Sequence, residues 1–220
     1  SFIKYPVIDY NVDVYYINKE GKEELLLKYR KNCISNSLLR TGWKSYKDLA
    51  KPSRGRGASA GPIDLKGTYW KKRNVVNTNK WSTGYLKNDG NPSKMKVNNQ
   101  VASNPIGFYE SANNFCKLPC RLTHFTRTNY DKYNEGLPFI QKIDSLFKKL
   151  IPDSYDKQLE RANLKPHLKI PDTSFSTITI NRNFRTALHR DAGDFKGGFG
   201  NLTVIERGNY HGGYTVFPQF

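Results

Sequence analysis

The sequence predicts an α+β domain whose core is a double-stranded β-helix, or jelly roll, built in the second half of the chain. Three observations predict it. Apolar residues recur at helical period between Leu137 and Leu150. From Thr173 the pattern switches to period two, in β-branched runs. Those runs are short and separated by glycine-rich turns, as a jelly roll entered from a helical lead-in requires.

Each element follows in order. Residues 7–17 alternate aromatic and polar side chains, as an opening strand does. Residues 22–31, KEELLLKYRK, read as a short helix with acids early and bases late to suit the helix dipole. Residues 51–104 are rich in Gly, Ser, Asn, Lys and Pro without a sustained period, which predicts loop. This stretch holds Trp70-Lys71-Lys72-Arg73 and Trp81. Aromatics beside bases serve either to stack and clamp nucleic-acid strands or to anchor a loop to the core.

Residues 137–150 form the clearest helix, with Ile140, Ile143, Leu146, Phe147 and Leu150 in one stripe. Pro138 suits its first turn and Pro152 its end; Ser154 opens a second helix to about Ala162. Both helices are expected to clad the barrel as scaffold. Strands are expected at 174–181, 201–207 and 214–217. The chain is read as one domain, residues 1–220, with a loop-rich scaffold over 1–105 and the helices and first jelly-roll strands over 106–220.

Composition narrows the partners. Lys and Arg number 36 against 19 Asp and Glu, a net charge of +17. Such an excess favours polyanions through counterion release, so nucleic acid, DNA first, is the expected partner. The competing explanation is an AT-rich genome that inflates Lys, Asn and Tyr. No run approaches a membrane span and no signal segment opens the sequence, so an intracellular protein, nuclear or virion-associated and not secreted, is expected. Cys33, Cys116 and Cys120 are too few and uneven for a disulfide framework. Cys116, Cys120 and His124 step by four, but Pro119 interrupts them, and core thiols are the preferred reading over a zinc site.

The chemistry concentrates at His189-Arg190-Asp191, between a β-branched run and the glycines Gly193, Gly197, Gly198 and Gly200. An imidazole and a carboxylate one residue apart supply two corners of the facial triad that leaves one side of Fe(II) open. Their side chains are expected to converge at a barrel mouth. Asp194 by itself reads as a turn residue that caps the glycine-rich loop. Arg185 and Arg190 are expected on the substrate side, with Lys71, Lys72 and Arg73 gathered around the same mouth.

The run FSTITINRNFRTALHRDAGD from Phe175, and NLTVIERGNYHGGYTVFP from Asn201, resemble the metal-binding segment and following turn of the TET/JBP superfamily. Cys120 to Asn129 and Gly136 to Asp144 are similar to that family's entry segments. The resemblance implies an Fe(II)- and 2-oxoglutarate-dependent dioxygenase that oxidises methylated pyrimidines in nucleic acid. It implies His189 and Asp191 as iron ligands, and a flipped-out base, because a paired methyl is out of reach. In some members an Asn at the Asp194 position bonds that base; an ionised Asp accepts from an amino group but donates nothing, which leaves the base open.

The family's third iron ligand, a histidine, and its 2-oxoglutarate arginine lie well beyond the G-G-x-x-x-F-P turn, whereas this chain stops at Phe220. His211 sits inside that turn and reads as a turn residue. The barrel is therefore expected to be incomplete at its C-terminus and closed by a further chain or segment beside residues 214–217. A non-catalytic nucleic-acid-binding or virion protein that kept the fold is the alternative, and an oxygenase acting on protein side chains a third.

Overall fold

The computed structural model describes residues 6–53, 60, 75–79, 82–86, 91–97, 101–109, 121–183, 186, 194–209 and 212–217. The chain opens on an antiparallel hairpin of β1 (Val12–Ile17) and β2 (Glu23–Tyr29). This corrects the helix expected over 22–31. Asn18 Oδ1 accepts from the backbone N–H groups of Glu20 and Lys22, and Gly21 takes φ +76°. The turn returns residues 23–29 onto β1, and pairing overrides their helix propensity. Asp13 reinforces the hairpin, 3.1 Å from Lys28 and 2.5 Å from Arg30.

Helix α1 (Asn36–Tyr46), which no periodicity announced, starts where the Ser35 hydroxyl accepts from Leu38 N–H. After β3 (Pro52–Ser53), the segment expected to be loop holds a three-stranded antiparallel sheet of β4 (Val75–Asn79), β5 (Ser82–Leu86) and β6 (Pro92–Val97). Its strands are polar and its ladder carries register shifts, so alternation of apolar residues could not reveal it. Trp70 to Arg73 and Trp81 lie outside the described residues.

The spine of the fold is β7 (Val101–Tyr109), which pairs antiparallel with β3, with β8 (Arg121–Leu122) and with β9 (Thr177–Asn181). Gly107 within it has φ +92°, and a Cβ there would stand 2.5 Å from the Ser176 carbonyl. Only glycine lets β7 pass that close to the entry of β9.

Helices α2 (His124–Thr128), α3 (Tyr130–Leu150) and α4 (Pro152–Asn163) follow β8. Helix α3 starts seven residues before the expected boundary, which puts Pro138 in its interior rather than its first turn. Pro152 opens α4 as well as ending α3, since a helix's first position needs no N–H. The helices are more than cladding: the buried core joins Tyr46 and Leu49, Phe125, Tyr133, Phe139, Ile140 and Phe147, and Tyr155 to Ile106 of β7. Residues 201–207 and 214–217 take no regular secondary structure, contrary to the strands expected there. The fold is α+β, helices on antiparallel sheet.

Candidate functional site

The strand that leads into the His-x-Asp motif is positioned from three sides. Asp144 of α3 is 4 % exposed, and its carboxylate accepts from Ser174 N–H (2.7 Å), Ser174 Oγ–H (2.7 Å) and Tyr155 O–H (3.0 Å). A buried carboxylate with three donors is satisfied, and it ties α3, α4 and the turn before β9 together. Burial, and then the hydrogen bond to Asp144, push the Tyr155 phenol up to about 12. Thr173 closes the same turn, its hydroxyl donating to Ile170 O while accepting from Phe175 N–H. Beyond the turn, Phe108 N–H donates to Ser176 O and Arg182 N–H to Ala102 O, so the β7–β9 pairing is pinned at both ends.

Asn183, just past β9, has φ +46°, a left-handed bend that ends the strand. His189 and Asp191, with Arg185 and Arg190, lie outside the described residues, as do His211, Cys116 and Cys120. Asp194 is exposed. It flanks a cleft of about 270 Å³ between the 194–200 turn and α4, with Phe195, Lys196 and Gln158 in its wall. The turn presses close: a Cβ on Gly198 would lie 2.1 Å from Gln158 Oε1. Phe199 and Ile205 pack against the core, and the Arg207 guanidinium lies over the Trp43 ring of α1, 5.5 Å from its centre.

Of the residues singled out in the sequence, Asp194 is thus placed beside α4, and His124 and His167 are exposed, the latter in a short 3-10 turn at Pro166–Leu168. Among the described residues no three His, Cys, Asp or Glu side chains group as a metal site. Sequence reasoning missed the Asp144 network. Its signal was a carboxylate four residues after Ile140, on the buried face of the helix.

An H-x-D pair supplies two of the three ligand types of a facial triad, and here it follows a sheet strand in an α+β domain. The particular family follows from comparison: the Tet_JBP profile, the oxygenase domain of the 2OGFeDO superfamily, matches residues 104–219, more than half of the chain. The chain belongs to this TET/JBP family. It is 42% identical over 115 residues to the bifunctional helicase and thymine dioxygenase JBP2 of Trypanosoma brucei brucei, covering 52% of this chain and 10% of that protein. It is 38% identical over 114 residues to JBP2 of Leishmania major, with the same coverage. Against thymine dioxygenase JBP1-A of Trypanosoma cruzi it is 35% identical over 114 residues, 52% of this chain and 13% of the relative. The chain spans about a tenth of the length of these curated relatives. No solved structure matches it. No helix of the described residues is long and apolar enough to cross a membrane.

Proposed function

We propose that this chain is the core of an Fe(II)- and 2-oxoglutarate-dependent dioxygenase that oxidises the methyl group of a 5-methylpyrimidine in nucleic acid, with thymine in DNA the first candidate. The observation that carries the reading is the family match over 104–219, which takes in His189-Arg190-Asp191. The relatives' names supply the base, as thymine dioxygenases.

The donor chemistry fits the metal. His189 offers a neutral imidazole nitrogen and Asp191 a carboxylate, two of the three ligands of a facial triad; no residue is assigned to the third. Bound iron and 2-oxoglutarate would supply the oxidising power, while the protein positions the target carbon. In this reading β9 leads into the segment that bears the ligands, and the Asp144 network fixes the turn from which β9 starts. Arg185 and Arg190 serve the substrate, and Asp194 accepts a hydrogen bond from the flipped base or caps its own turn.

Residues 1–220 are read as one unit, 1–105 scaffolding the jelly-roll portion at 106–220. Leu202, Val204 and Tyr214 are 80%, 70% and 68% exposed on segments without a ladder, which favours further strands packing there, from this polypeptide or another.

Anaerobic titration of the full-length protein with Fe(II) and 2-oxoglutarate tests the site. A visible charge-transfer band is expected, and it should vanish in His189→Ala and Asp191→Ala. A protein that shows no band under these conditions fits the non-catalytic binding role instead.

A further inference from the structure

We propose that the outward face of α1, with Arg207 beside it, is the docking surface for the phosphate backbone of duplex DNA. This rests on the reading above that nucleic acid is the substrate, and adds where its backbone lies.

Helix α1 turns Gly42 and Tyr46 toward α3, so closely that a Cβ on Gly42 would stand 2.7 Å from the Phe139 ring. At about 100° per residue, Arg40, Lys44 and Lys47 fall within an arc of about 60° on the opposite side. All three are exposed, as is Lys51 just past the helix. Between Asn36 and Lys51 there is one acid, Asp48, and its carboxylate is taken by Lys132 of α3 at 3.1 Å. That hydrogen bond, with Lys47 and Lys51 nearby, holds the Asp48 carboxyl below its ordinary value. Arg40, Lys44, Lys47 and Lys51 make no ion pair among the described residues. From Asn36 to Lys51 the chain thus presents four exposed cations and one acid that is already paired.

The spacing suits a phosphate chain. A rise of about 1.5 Å per residue puts Arg40 and Lys47 about 10 Å apart along the axis. That span covers about three phosphates of one strand, at about 3.4 Å each along the duplex. Arg207 widens the surface. Its guanidinium carbon lies 5.5 Å from the centre of the Trp43 ring, on the flank of the same helix. A guanidinium held against a ring offers phosphate oxygens a rigid planar fork, which a lysine in its place would not. Arg207 also belongs to the segment that follows the His-x-Asp motif and the 194–200 turn, so the stripe is tied to the candidate site by the chain itself. Such contacts fix where the duplex sits and read no sequence.

The test is binding of a short labelled duplex across a salt series. Arg40→Gln/Lys44→Gln/Lys47→Gln is compared with an equal-charge control, Lys19→Gln/Lys22→Gln/Lys149→Gln, both shown to be folded by circular dichroism. The stripe variant is expected to lose about tenfold or more in affinity, with the log-log salt slope shallower by about 2 to 3, since each phosphate contact carries about 0.9. The control should change the slope by less than about 1. Arg207→Lys, which keeps the charge and removes the planar fork, should weaken binding while leaving the slope as it was. A stripe variant that binds like the control overturns the proposal and leaves the oxygenase reading intact. Equal losses for heparin and for duplex overturn it as well, because the face would then be a generic polyanion surface. A protein that oxidises no base, yet loses slope in the stripe variant, upholds the surface and removes the enzymatic reading.

Discussion

Asp144 shows what one residue decides. Its carboxylate, carried on α3, is the shared acceptor for α4 and for the turn that aims β9. Asp144→Ala leaves three donors without a buried partner and is expected to cost about 3 kcal/mol or more. Tyr155→Phe removes one donor together with its need and should cost about 1 kcal/mol. Urea unfolding of the two variants checks the order. The buried phenols set an alkaline limit. Burial pushes Tyr155 and Tyr133 from 10.0 up to about 12, and raises Tyr46 too. Folding favours the protonated phenols, so their stability is full below the unfolded value of 10.0 and drains as pH rises toward about 12. A thermal-melt series from neutral to alkaline pH should show Tm falling across that window, and less so in Tyr155→Phe. Asp144 was legible as a residue on a helix but not as a hub, because its partners come from the next helix and from a turn 30 residues away.

At the scale of elements, close packing of α1 on α3 is reciprocal. Gly42 makes room for Phe139, and Gly136 makes room for Tyr46, whose hydroxyl would lie 2.1 Å from a Cβ at position 136. Alanine favours a helix interior by about 1 kcal/mol over glycine. Even so, Gly136→Ala is expected to destabilise by about 1 to 3 kcal/mol, because the Tyr46 ring is buried and cannot move aside. Equilibrium unfolding measures the sign. These elements also show what the sequence could reveal. The stripe from Ile140 to Phe147 gave α3, and β-branched alternation gave β9. Residues 23–29 misled because acid-first, base-last order imitates a helix, whereas their partner strand is set by a turn at Asn18 to Gly21. The polar strands β4 to β6 carry no periodic signal, so only backbone pairing defines them.

At the scale of the whole molecule, the motif was legible before the fold was. His189-Arg190-Asp191 and its flanks carried the family, and the match over 104–219 bears that resemblance out. What one chain's sequence could not reveal is which surface meets a polyanion, since a charge of +17 has no direction until α1 is rolled against α3. The central claim is methyl oxidation of a pyrimidine in DNA. Its most direct measurement is mass spectrometry of nucleosides released from thymine-containing duplex, after incubation of the full-length protein with Fe(II), 2-oxoglutarate and oxygen. The account predicts thymidine carrying one added oxygen on its methyl group, with matching succinate, and neither product in His189→Ala or Asp191→Ala. Unaltered thymidine, from a protein that binds the duplex and both small ligands, would contradict it.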